Sequence, residues 1–184
     1  MSDRPTADLQ IVETRVYRGA NVWSYDKSIH LVVDLGSLEQ FPTNTIPGFT
    51  DDLVAMLPGL REHSCSRGRR GGFLERLNEG TWLGHVAEHV ALGLQQLVGH
   101  DIRRGKTRAV KGRPGHYNII YGYVDENVGL TAGRLAVRLP ANVATGGWAW
   151  PNRDGRPVAP DLTAFLGCCR KLLLRQPIVT RFAA

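Results

Sequence analysis

The chain has 184 residues, 42% of them apolar, and a formal net charge of +6, enough for one packed domain and marginal for two. No run approaches the about eighteen apolar residues of a membrane helix, and Met1-Ser2-Asp3-Arg4-Pro5 starts no signal-peptide pattern, so a cytoplasmic protein is expected. Three cysteines, two of them adjacent at Cys168 and Cys169, make no disulfide framework and fit reduced thiols.

Residues 9–18 alternate and are β-branched, which predicts a strand, ended by Gly19-Ala20-Asn21. A second strand is expected over 28–35. Thr50-Asp51-Asp52 opens a short helix that Pro58-Gly59 ends. A basic glycine-rich loop, 65–73, leads into a short helix at 74–78. Thr81 is the expected N-cap of a long helix running to Val98, with Gly99 as its stop. Residues 102–110 and 116–124 read as two strands joined by Lys-Gly-Arg-Pro-Gly. Asp125 and its neighbours start a helix to about Leu139, residues 140–159 read as Pro/Gly/Trp-rich loop, and a last helix is expected from Asp161 to Leu174. This pattern predicts an α+β fold: an antiparallel sheet with its strands in pairs and helices packed on one face. A single domain over 1–184 is expected, with a core at 9–145 and a divergent C-terminal loop and helix at 146–184.

The long helix carries His85-Val86-Ala87-Glu88-His89. In an H-x-x-E-H set on a helix, two imidazoles share a face with a carboxylate between them, as zinc hydrolases present two ligands and a general base. At about 100° per residue, Leu83, Val86, Ala87, Val90, Ala91, Leu94, Leu97 and Val98 share an apolar arc, while His85, Glu88 and His89 fall opposite it. The histidines therefore face solvent or a second, more polar surface. A catalytic zinc site needs a third protein ligand. Glu126, Asp125, His116 and His63 are the candidates, and Glu126 is preferred because it starts the next long helix. Glu88 would take a proton from water and pass it to the leaving amine.

Charge is concentrated in the middle of the chain, where Arg61 to Arg113 hold eleven Lys/Arg against five Asp/Glu. Such a field favours a polyanion or a carboxylate-rich partner, and equally describes a solvated basic face. Gly105-Lys106-Thr107 resembles the end of a phosphate loop, but Gly99 stands one residue too far away and a helix precedes it, so a nucleotide site is rejected. Gly68, Gly71 and Gly72 with their arginines fit either an anion-binding nest or a plain tight turn. Cys168 and Cys169 fit core packing. Tyr117, Tyr121 and Tyr123 share one strand face, which suits a stacking surface for nucleic acid or sheet-to-helix packing. Without a ribonucleoprotein-type motif, nucleic acid is the minor reading.

Several segments together carry a resemblance. They are Gly19-Ala20-Asn21-Val22-Trp23-Ser24, Ile46-Pro47-Gly48-Phe49, Leu57-Pro58-Gly59-Leu60, and the run from His63-Ser64-Cys65-Ser66-Arg67-Gly68 through Gly71-Gly72-Phe73-Leu74-Glu75-Arg76-Leu77 and Glu79-Gly80-Thr81 to His85-Val86-Ala87-Glu88-His89-Val90-Ala91-Leu92. With Gly105-Lys106-Thr107-Arg108 and Tyr123-Val124-Asp125-Glu126, they resemble the N-terminal domain of cyanophycin synthetase over roughly residues 10–145.

That resemblance implies handling of cyanophycin, a poly-aspartate carrying arginine on each side-chain carboxyl, or of a related Asp/Arg isopeptide. It implies a polymer-binding domain with a metallopeptidase-like zinc site that cuts polymer into primers. His85 and His89 would be ligands, Glu88 the base, and Arg67, Arg69, Arg70 and Arg108 contacts to polymer carboxylates. The family carries glutamate where this chain has Gly93 and Gly122. The ATP-grasp and Mur-ligase-like domains of the full synthetase are absent before Ala184, so polymerisation by this chain alone is not expected. The alternative is a non-catalytic module that docks polymer, or docks ATP-grasp/ligase synthetase subunits in trans. RNA binding is a minor third reading, no membrane partner is expected, and a homo-oligomer is left open.

Overall fold

The computed structural model describes residues 8–146, 150–151, 157–158, 162–167 and 171. Four strands form one antiparallel sheet: β1 (Gln10–Tyr17), β2 (Ser28–Asp34), β3 (Gly105–Ala109) and β4 (His116–Gly122), in the order β1-β2-β4-β3. β1 skips a residue between Ile11 and Glu13, leaving Val12 outside the ladder and 51% exposed, the expected behaviour of a bulge on an edge strand. β2 is central and buried along its length.

The helices follow between and after the strands: α1 (Phe49–Met56), α2 (Gly72–Glu79), α3 (Leu83–Leu97) and α4 (Glu126–Thr145). The register puts Ile29, Leu31 and Val33 opposite Tyr121, Ile119 and Tyr117, on the sheet face that α3 and α4 cover. This is the α+β arrangement read from the sequence, with helices on one face of an antiparallel sheet. Burial of each such aliphatic side chain contributes about 1.5–3 kcal/mol. The opposite face carries His30 and Ile120, and Trp23 of the β1–β2 loop packs on His30 with ring centroids 5.0 Å apart.

Two expectations are corrected by packing, and the tyrosines are found in the second of their two open roles, sheet-to-helix packing. Thr81 does not cap α3: its hydroxyl lies 3.0 Å from His85 Nδ1, its amide donates to Thr43 Oγ1, and the helix begins at Leu83. α4 does not stop at Leu139 but runs through Pro140 to Thr145. A proline inside a helix forfeits one backbone hydrogen bond, yet Leu139, Ala141, Val143 and Ala144 beside it are buried in the core, and their burial holds the last turn. The tyrosines are no stacking platform. Tyr121 and Tyr123 are buried and bond to the Gly129 and Tyr17 carbonyls, while the Tyr117 hydroxyl donates to Glu39.

Gly133 explains how α4 lies so close to the sheet. A Cβ there would stand 1.9 Å from the Tyr121 hydroxyl, so only glycine admits this approach. Beyond α4, the pair β5 (Trp150–Pro151) and β6 (Pro157–Val158) forms a separate two-stranded sheet. Residues 162–167 are helical, with Leu162 and Phe165 in the main core. Cys168 and Cys169 lie outside the described residues. Among the described residues, no helix is long and apolar enough to cross a membrane.

Candidate functional site

α3 is buried around nearly its whole circumference, so its polar stripe meets a second protein surface rather than solvent. That surface is built from the turn at 63–67, from Phe73 of α2, and from β3. Glu88 and His89 are 7% and 5% exposed. His89 stacks on the Phe73 ring at 4.0 Å between centroids, and His85 meets the same ring edge-on.

Each polar side chain of the motif has a partner from outside it. Thr107 Oγ1 donates to Glu88 Oε2 at 2.6 Å, Thr81 Oγ1 lies 3.0 Å from His85 Nδ1, and His63 Nδ1 lies 3.0 Å from His89 Nδ1. Cys65 Sγ approaches His85 Nε2 at 3.3 Å. Cys65, His85 and His89 each offer a ligand atom within 4.8 Å of the others. Cys65 reaches this position with φ +52°, the left-handed region that non-glycine residues rarely occupy. Among the described residues no other non-glycine does so. Backbone strain of about 1–3 kcal/mol is thus concentrated at one donor of this group.

Burial governs the electrostatics. It lowers the His85 pKa to about 4, with a further push from Arg76. It lowers the His89 pKa to about 2, reinforced by His85 and His63. Both imidazoles are therefore neutral at physiological pH, the form that ligates metal. Burial raises the Glu88 carboxyl to about 7, and the Thr107 hydrogen bond partly opposes that rise. A carboxyl poised near neutrality is suited to accept and return a proton. Two neutral imidazoles and a thiol make a donor set fitted to zinc, whose tetrahedral sites take nitrogen and sulfur ligands.

The structure places the other candidates elsewhere. Glu126 accepts two hydrogen bonds at 2.9 Å from Arg18, which hold its carboxyl below the usual range, and it does not line the cavity beside His85 and His89. Asp125 caps α4 by accepting from Val128 N at 2.9 Å. His116 turns to the Pro114 carbonyl and Asp34. Of the four proposed third ligands, only His63 adjoins the histidines. The donor grouped with them is Cys65, a thiol outside those four carboxylate and imidazole candidates. Its place two residues after His63, at the start of the glycine-rich loop, was the available signal.

Arg67, Arg69 and Arg70 are exposed and pair with Glu79, Glu75 and Glu62 respectively. Arg108 lies on β3 opposite Asn118, exposed and on the sheet face turned away from the helices. Arg103 and Lys106 stand nearer, on the wall of a cavity of about 790 Å³ that Cys65, His85, Glu88 and His89 also line. A second cavity, of about 870 Å³, lies along Trp23, Tyr25, Lys27 and Arg104, and shares Asp101, Arg103, Gly105 and Lys106 with the first. The amides of Gly68, Gly72 and Phe73 donate to the Cys65, Arg69 and His63 carbonyls, so the glycine-rich loop is a tight turn rather than an open nest. A Cβ at Gly93 would touch Leu60 and His63, and one at Gly122 would touch Ile102, so neither position opens onto Glu88.

The sequence pattern of the cyanophycin synthase-like N-terminal domain matches residues 30–145. Cyanophycin synthetase from Geminocystis herdmanii is 48% identical over 141 residues, 76% of this chain and 16% of that protein. The Synechocystis sp. enzyme is 51% identical over 133 residues, 71% of this chain and 15% of the other, and that of Trichormus variabilis is 44% identical over 141 residues, 76% of this chain and 16% of its own length. The chain thus spans about one sixth of the length of these relatives.

Proposed function

From the chain's membership of the cyanophycin synthase-like N-terminal domain family, we propose that it binds cyanophycin, or a related Asp/Arg isopeptide, and hydrolyses an amide bond within it. Cys65, His85 and His89 would hold a zinc ion. Zinc there would supply a Lewis acid that acidifies water and polarises a carbonyl. Glu88, its carboxyl brought near neutrality by burial, takes the proton of the attacking water and delivers it to the departing amine. Thr107 holds the carboxylate in one orientation through the 2.6 Å hydrogen bond. On the cavity wall, Lys106 and Arg103 would meet substrate carboxylates and Asp101 and Glu62 guanidinium groups, the substrate exchanging with the exposed Arg103–Asp101 and Arg70–Glu62 pairs. The polymer offers both. A thiol ligand requires a reducing compartment, in keeping with a cytoplasmic placement. Chain growth would belong to ATP-grasp and Mur-ligase-like partners.

The observation that carries this reading is the convergence of Glu88 with the Cys65–His85–His89 group in one cavity. Purified protein is analysed for zinc and incubated with cyanophycin, and new amine ends are counted. Bound zinc, with cleavage lost in Glu88→Gln while zinc is retained, supports the hydrolase. Cleavage unaffected by Glu88→Gln removes Glu88 as the base. Polymer binding without zinc or cleavage makes the chain a docking module, and steeply salt-dependent RNA binding with no preference for the polymer makes it an RNA-binding domain.

A further inference from the structure

His63 belongs neither to the H-x-x-E-H motif nor to the three-donor group, yet it is buried against both. Its surroundings determine where its proton sits. Gln96 Nε2 donates to the Ile102 carbonyl at 3.0 Å, and a carbonyl only accepts, so the other end of that amide, Oε1, faces His63. Gln96 Oε1 lies 3.0 Å from His63 Nε2 and has no proton to give, so Nε2 carries the hydrogen. A neutral imidazole carries one N–H, which leaves a lone pair on His63 Nδ1. His89 Nδ1 stands 3.0 Å from that lone pair and must donate to it. The single proton of His89 is then on Nδ1, and Nε2 is left bare.

We propose that His63 and Gln96 are positioning residues that fix His89 as its Nδ1–H tautomer and so present the Nε2 lone pair as the ligand. The relay runs from a backbone carbonyl at residue 102, through one amide and one imidazole, to the third member of the donor group. Gly93 lies beside this pair: a Cβ there would stand 3.2 Å from Leu60 Cδ2 and in ordinary contact, 3.8 Å, with His63 Cε1. Outer partners of this kind orient metal-binding imidazoles, and their loss weakens metal affinity by about 10–100-fold.

The inference rests on reading Cys65, His85 and His89 as a metal centre, and its test separates the two. In metal-free protein, long-range proton–nitrogen correlation of the imidazoles should show His89 protonated at Nδ1 and His63 at Nε2. The opposite assignment for His89 overturns the relay. Anaerobic titration with Co²⁺, read by its thiolate charge-transfer absorption, should show about 10–100-fold weaker binding in His63→Leu. His63→Asn, which keeps an acceptor near Nδ1, should restore affinity to within about threefold of wild type. Unchanged affinity in a folded His63→Leu, or no rescue by His63→Asn, overturns the proposal. If His63→Leu does not fold, Gln96→Leu reads the same loss. Wild-type protein that shows the stated tautomers but binds no Co²⁺ supports the relay and overturns the metal reading.

Discussion

Replacing Glu88 by glutamine should stabilise the protein while abolishing the proposed cleavage, and the size of the effect follows from its burial. The folded protein holds this carboxyl at about 7 against an ordinary 4.5. Its pKa is raised on folding, so its contribution to stability is fully present below pH 4.5 and is lost as pH rises through 7. At about 1.4 kcal/mol per pH unit, this window is worth about 3 kcal/mol. Glutamine has no proton to lose. In urea unfolding of metal-free protein, the advantage of Glu88→Gln over wild type should therefore grow by about 3 kcal/mol between pH 4 and pH 8, nearly all of it above pH 4.5. The depressed His85 and His89 titrate in both proteins, destabilising each as pH falls below 6.5, and largely cancel in the comparison. Parallel pH–stability curves for the two proteins would show that Glu88 is not held near neutrality and would remove the physical basis for its role as a base.

Three further outcomes bear on the site and its frame. Cys65→Ser should weaken Zn²⁺ binding at least about tenfold in competition with a chelator, whereas Glu126→Ala, which breaks the surface pair with Arg18, should leave it unchanged; the reverse pattern would restore Glu126 as the ligand. Gly105→Ala would bring a Cβ within 2.6 Å of Glu88, so polymer cleavage should fall while Zn²⁺ affinity holds, measured side by side on one preparation. Gly133→Ala drives a methyl against the Tyr121 hydroxyl and should destabilise by about 1–3 kcal/mol in thermal unfolding, with no change in metal binding.

Much of the frame could be read directly. Alternation in 9–18 and the apolar run in 28–35 correspond to β1 and β2, and the Lys-Gly-Arg-Pro-Gly break separates β3 from β4. Asp125 caps α4 as its side chain and position predict. The errors share one cause. Thr81 reads as a cap because hydroxyls accept from helix amides, but a part-buried imidazole four residues on engages it first. Pro140 reads as a stop because the ring forfeits a hydrogen bond, but the buried aliphatic side chains around it outweigh that loss. Local chemistry states a preference, and burial decides between competing partners.

The sequence by itself determined that His85, Glu88 and His89 share one side of a helix, because 3.6 residues per turn allows nothing else, and that this side differs from the apolar arc. It also pointed to the family, through segments scattered between Gly19 and Glu126. Only the tertiary structure decided what that side meets. A turn twenty residues upstream brings Cys65 and His63, and a strand nineteen residues downstream brings Thr107. Glu126, favoured because it opens the next helix, is held by Arg18 instead. Sequence spacing controls neighbours within one helix; which distant side chains close around it depends on how sheet and helices share a core.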